Sequence, residues 1–448
     1  MIFKRLKVWW ILGVLLTSLM VVGIACGDDD GVDGEATQPP QASPTAGVDA
    51  TVTPFAGEII TPEDVLAKDG SATKTAEVVW GWMFEQSGPL EGFGVPTGDG
   101  VLLAVQEIND AGGFQVGDTI YTIRLIKRDT ESSVPSTIAV ATGLVRDDGV
   151  NVIWGPATVG EPQATPITQD AEVLHLCPCQ ERETTALSTV EKAQGESRWA
   201  FQTLLPFSLL IAQGARDFVE DWPEFETMAT LCVNTQNGRD ICSRTAEAYA
   251  EAGIEVVGQE YFPEGTTDYN PFLTSLRAAD PDYIFSFDDP LKQATIIRQA
   301  MELGVGRLHI ASLPANLIEA LVGIPLTTPV IAGAAARQCA QPTSDEAAEY
   351  CDRYRAFKGG NLPVAEFVSL LTYDYTYMLV AAMQVAGTVD DTTAISQALE
   401  TLHYDGVSED DMFFNSRHLG VHGTDPCIVR SGQPLTCEHV PPPPEAAQ

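Results

Sequence analysis

The residues with the most chemistry to offer are cysteines and histidines, and their spacing limits what they can do. Six of the nine cysteines form three close pairs, Cys232 with Cys242, Cys339 with Cys351, and Cys427 with Cys437. Such short intervals predict three local disulfides in an oxidising compartment. Each closes a loop of about a dozen residues, worth up to ~3 kcal/mol in the chain-entropy picture. His175-Leu176-Cys177-Pro178-Cys179 is a different case. Alternate residues of an extended chain share a side, so this imidazole and two thiols form a set that suits zinc or copper. Three ligands from one strand end do not close a tetrahedral shell unaided. A disulfide or buried thiols are therefore the ordinary reading, with an extracytoplasmic metal or redox protein using Cys177 and Cys179 as an alternative, and no metal is assigned. His418 and His422 have helical spacing, but Gly420 lies between them and no third ligand is evident, so they read as a solvated pair. Asp28-Asp29-Asp30-Gly31 lacks the alternating ligands and closing Glu of a calcium loop.

The catalytic motifs are missing. There is no Gly-rich phosphate loop ending in Lys-Ser/Thr, no Gly-x-Ser-x-Gly and no His-Glu-x-x-His, so nothing marks the chain as an enzyme and no cofactor is implied. Charge narrows the partners further. With 62 acidic against 25 basic residues the formal charge is −37, which repels nucleic-acid backbones and anionic headgroups.

At the N-terminus, Lys4, Arg5 and Lys7 precede an apolar run from Val8 to Ala25, and small residues lead into Cys26. That order is a secretory signal over residues 1–25; a retained anchor helix is the other reading of an 18-residue stretch. Residues 26–75, acidic and Pro-rich, bury too little apolar surface to fold and read as a tether. Beyond Ala76, strands at 78–82, 119–128, 150–154 and 172–176 alternate with helices at 101–108, 137–146 and 161–170. A second run follows, with helices at 207–219, 239–252, 271–279 and 292–303 and strands at 228–233, 254–259 and 282–287. Longer helices occupy 364–386 and 391–402. Alternation of this kind predicts an α/β protein of two lobes, each an open, mostly parallel sheet with helices on both faces. A ligand crevice is then expected at the strand C-termini between the lobes. In the second lobe, Asn234 to Gly238, including Asn237, and Phe287-Asp288-Asp289-Pro290 end strands. Asp288 or Asp289 offers a partner to an ammonium, and an N-cap before Pro290 is the competing use.

Ser87-Gly88-Pro89-Leu90-Glu91-Gly92-Phe93-Gly94 and Ala104-Val105-Gln106-Glu107-Ile108-Asn109-Asp110-Ala111-Gly112-Gly113 resemble the signatures of the type I periplasmic binding fold. They are most similar to the leucine/isoleucine/valine-binding branch of ABC-importer substrate-binding proteins. Asp129, Gly155-Pro156, Thr267-Asp268-Tyr269 and Tyr373 to Gly387 follow in that family's order, over residues 77–435. Gly23-Ile24-Ala25-Cys26 resembles a lipobox, with Gly23 where Leu is usual, and implies lipidation of Cys26. The resemblance implies three passages between lobes, with lobe one at 77–197 plus 329–402 and lobe two at 198–328 plus 403–440. It further implies ligand contacts from Phe93, from Ala157 and Thr158, and from the loop holding Cys179 and Gln180. A hydroxyl and amides at Thr158 suit a carboxylate or carbonyl oxygen. The loop after the strand that follows Asp288 is Ala311-Ser312-Leu313-Pro314, without the acid usual in amino-acid binders, so an amide, urea-like or aromatic ligand stays open. The implied protein is a monomeric solute-binding subunit on the outer face of the cytoplasmic membrane or in the periplasm. It is lipid-anchored and delivers a small polar molecule to ABC permease subunits. A ligand-sensing receptor of the same fold is the alternative.

Overall fold

The computed structural model describes residues 59–442 apart from 179–197, 206–213, 216–217, 220, 312, 314, 333–338, 340 and 364–365. Residues 1–25, Cys26, Cys179, Gln180, most of the helix expected at 207–219 and the side chain of Asn237 therefore lie outside the described residues.

The expected tether to residue 75 stops short of that boundary. Strand β1 (Ile59–Ile60) is already paired, and helix Pro62–Leu66 is fixed by a capping box in which Thr61 and Asp64 exchange side-chain and backbone bonds. Val65 of that helix is fully buried, and this anchors the acidic segment despite its polarity.

Strands β2 (Lys74–Phe84), β3 (Phe114–Val116), β4 (Thr119–Asp129), β5 (Val152–Trp154), β6 (Leu174–Cys177) and β7 (Ala200–Gln202) form the first sheet, in the order β3-β4-β2-β5-β6-β7. All neighbours are parallel except β3 against β4. Both faces are covered. Trp80, Trp82, Phe84 and Trp154 are buried with side chains of helices Glu91–Asp110, Asp345–Phe357 and Phe367–Ala386. On the other face Met83 and Ile153 pack with Ala141, Leu144 and Ala164 of helices Val134–Arg146 and Glu161–Asp170. Burial on two sides explains why β5 and β6 read as apolar runs, whereas β4, nearer the sheet edge, alternates apolar with exposed polar residues.

The second sheet contains β8 (Thr227–Val233), β9 (Glu255–Phe262), β10 (Tyr283–Phe287), β11 (Leu308–Ala311) and β12 (Val330–Ala332). After β13 (His403–Tyr404), β14 (Phe413–Phe414) and β15 (Gly420–Val421), it is completed by β16 (Cys427–Val429) and β17 (Thr436–Cys437). Its order is β17-β16-β12-β11-β10-β8-β9, all neighbours parallel except β16, which runs antiparallel to both β12 and β17. The three expected disulfides are present: Cys232–Cys242, Cys339–Cys351 and Cys427–Cys437.

The return of the chain to the second sheet comes later than the expected residue 403. β13 pairs with β1, and Tyr404, Met412 and Phe414 belong to the first lobe's core, so the chain rejoins the second sheet only at Cys427. The reading of His418 and His422 as a solvated pair is also corrected, since both are buried. His418 stacks on Phe201 at 4.1 Å and contacts the Ala200 carbonyl and Glu400, while His422 Nε2 accepts from the Leu205 N–H at 3.0 Å.

Candidate functional site

In both sheets the order of strands reverses once. The chain moves from β2 outward to β4 and then returns to the other side of β2 with β5; in the second sheet β8 is flanked by β9 and β10 in the same way. At such a point the two neighbouring connections leave in opposite directions and open a crevice beyond the strand C-termini. The loops facing these crevices are Glu85–Leu90 and Gly155–Gly160 in the first lobe, and Asn234–Thr235 with Asp288–Asp289 in the second.

Asp129, at the end of β4, orders the first of these loops. Its carboxylate accepts from the Gln86 N–H at 2.9 Å, the Ser87 hydroxyl at 2.7 Å and the Glu131 N–H at 2.8 Å. Burial opposes its ionisation, but these bonds outweigh burial and hold its pKa below the usual carboxylate value. Gly155 precedes a cis bond to Pro156 with φ +92°, and a Cβ there would lie 2.0 Å from the Met83 carbonyl oxygen. Only glycine allows the β5 loop to lie this close to β2. His175 braces the turn: its Nε2 meets the Gly155 carbonyl at 2.6 Å and its Nδ1 meets the Thr168 hydroxyl at 3.2 Å. Full burial pushes the imidazole down to about 4, so it is neutral and Nε2–H is the donor. Both ring nitrogens are thus committed to the fold, and Cys177 is disulfide-bonded. His175 and Cys177 are structural in this arrangement, not a metal's imidazole and thiolate.

Ala157 and Thr158, which the resemblance implied as ligand contacts, lie at the switch point with their donors already engaged. Glu85, wholly buried, receives the N–H groups of Ala157, Thr158 and Val159 and the Thr158 hydroxyl, at 2.9–3.0 Å. Phe93 stands in the first turn of helix Glu91–Asp110, half-buried against the first core.

Across in the second lobe, Thr235 caps helix Gln236–Glu251 by accepting from the Gly238 N–H at 3.0 Å, and Asn234 Oδ1 accepts from Arg239 at 2.6 Å. Asp289 is the N-cap of helix Pro290–Leu303, its Oδ1 accepting from the Leu291 N–H at 3.0 Å. Asp288 has a different environment. Its Oδ1 accepts from the Asp289 N–H at 2.7 Å and from Lys292 at 3.1 Å, while its Oδ2 is buried without a hydrogen-bond partner. Burial pushes its pKa up, aided by the charge of Asp289 and opposed by the Asp289 amide and Lys292. The buried Tyr269 lies close enough to both acids to be pushed up to about 12, chiefly by burial and then by their charges. Sequence reasoning missed Glu85, although its place between an apolar strand and the Ser87-Gly88-Pro89 turn marked it as a strand-end acid.

Two open α/β lobes whose switch-point loops carry polar groups define a ligand-binding protein of the type I periplasmic binding fold. The chain matches the Periplasmic binding protein family over residues 77–428 and belongs to it. It is 27% identical over 225 residues to the leucine-, isoleucine-, valine-, threonine- and alanine-binding protein of Pseudomonas aeruginosa, covering 49% of this chain and 56% of that protein. The matched region thus spans little more than half the length of that relative. Among solved structures it resembles the isoleucine complex of a branched-chain amino acid transporter substrate binding protein from Streptococcus pneumoniae. That match has a TM-score of 0.67 and 21% identity, over 82% of this chain and all of the other. A solute binding protein of an ABC transporter from Rhodopseudomonas palustris, bound to 3,4-dihydroxybenzoic acid, gives 0.65 and 18%, over 82% and 96%.

Proposed function

We propose that this chain is the extracytoplasmic solute-binding subunit of an ABC importer, closing its two lobes on a small polar organic molecule for delivery to a permease. The observation that supports it most is the pair of switch points, one in each sheet, whose loops end in polar groups. A ligand gripped by two such loops binds a closed form better than an open one, and closure is a shape a permease can recognise. In this reading one lobe comprises the elements from Ile59 to Gln202 with those from Asp345 to Val421, and the other those from Thr227 to Ala332 with those from Cys427 to Cys437. Relatives with named ligands carry amino acids or an aromatic acid, so a small organic molecule of that size is the class to test. The test is a thermal-shift screen of the full-length chain in detergent against amino acids, their amides, urea and aromatic acids. At least one should raise the unfolding temperature, and a flat response across all classes would overturn the reading.

The family and the disulfides favour an extracytoplasmic site. No helix among the described residues is long and apolar enough to cross a membrane. Anchoring is assigned to an acyl chain on Cys26 after removal of residues 1–25. Cys26→Ser should leave the membrane fraction; an uncleaved variant that stays there would make Val8 to Ala25 an anchor helix instead.

A further inference from the structure

Glu85 follows directly on β2 at the first lobe's switch point, and none of it reaches solvent. Its Oε1 accepts from the Thr158 N–H, the Thr158 hydroxyl and the Val159 N–H, each at 2.9 Å, and its Oε2 accepts from the Ala157 N–H at 3.0 Å. Three consecutive amides and a hydroxyl converging on two oxygens is a cradle for an anion. Here the anion belongs to the chain. The packing holds it in place: a Cβ at Gly94 would lie 2.4 Å from the Glu85 carbonyl oxygen and 2.6 Å from its Cβ, so helix Glu91–Asp110 rests directly on this residue. A second carboxylate arriving at the same loop would meet donors already spent and a like charge within a few ångströms in a site shielded from water.

We propose that Glu85 is a resident carboxylate standing in for a ligand's own at the Ala157–Val159 loop, and that it sets the ligand class: amides or amines with no carboxylate at this end. The inference rests on the reading of the crevice as a solute site. It predicts a preference that can be measured on matched pairs, L-isoleucine against L-isoleucinamide and benzoate against benzamide.

The full-length chain and its Glu85→Ala variant are titrated with all four probes by calorimetry, with folding checked by circular dichroism. The wild type should prefer the amide of a pair by about tenfold or more. Glu85→Ala, which frees the four donors, should gain about tenfold for the matching acid. Glu85→Gln, which keeps the cradle filled, should show no such gain. A wild type that binds either acid more tightly than its amide overturns the proposal, as does a folded Glu85→Ala protein that gains affinity for neither acid. If Glu85→Ala does not fold, the wild-type pairs decide alone, and lack of a preference counts against the proposal. These failures leave the solute-binding reading standing, because that reading falls only if the wider screen is flat.

Discussion

His439 lies between two buried acids, its Nδ1 at 2.8 Å from Asp425 and its Nε2 at 3.1 Å from Glu409. Each carboxylate can only accept, so the ring must donate from both nitrogens, which only the imidazolium does. The bonds to Asp425 and then to Glu409 raise its pKa to about 9, against the cost of burial. Glu409 also receives the Gly423 N–H at 2.7 Å, and Asp425 the Thr343 hydroxyl, so the cation ties together three separate stretches of the C-terminal region. The neighbouring His422 is pushed down by its burial, against the opposing pull of the Gly423 carbonyl and the Glu409 charge. Because the folded value lies above the ordinary 6.5, this stabilisation is complete below about pH 6.5 and disappears as pH rises through about 9. After solvent screening of a half-buried group it is about 1–2 kcal/mol. Denaturant melts at pH 6 and pH 9.5 should show a loss of that size in the wild type and a smaller one in His439→Gln. Equal losses in both proteins would place the pH dependence elsewhere.

Asp289 is the N-cap of Pro290–Leu303, so Asp289→Ala removes the acceptor for Leu291 and should cost about 1 kcal/mol of stability. Its neighbour Asp288 keeps one buried oxygen unpartnered, so Asp288→Asn should weaken an amine-bearing ligand while Asp289→Asn, which still caps, should not. Comparable losses of ligand affinity from both Asn variants would return Asp289 to the binding site. The contrast also shows where sequence reading stops. The acidic pair after an apolar strand was legible, as were the parallel strands and the three disulfides, because each depends on local pattern and short spacing. The division of labour between Asp288 and Asp289 was not, since it follows from which carboxylate the helix axis meets. Glu85 was invisible for a related reason: its partners lie 72 to 74 positions away, brought to it by the pairing of β2 with β5. His418 and His422 were misread because the burying surface comes from Phe201 and Leu205, far along the chain.

At the scale of the whole molecule, the chain leaves the first sheet after Gln202, leaves the second after Ala332 for elements packed in the first core, and returns to the second sheet after Val421. Under the proposed function, these three connections are the hinge about which the lobes open and close. A ligand touching both switch points therefore does two things at once. It selects the closed form, and it stabilises the fold by mass action, by about 2.7 kcal/mol at a hundredfold excess over its dissociation constant. Both effects should appear together for any hit from the screen, as a higher thermal midpoint and a smaller radius of gyration in X-ray scattering. For an amine-bearing hit, variants on opposite lobes, Asp288→Asn in one and Ser87→Ala, which loosens the loop that Asp129 orders, in the other, should each reduce the stabilisation and the compaction in parallel. Stabilisation without compaction, insensitive to the variant of one lobe, would mean that the ligand sits on a single lobe and that closure around it is not the working motion of this protein.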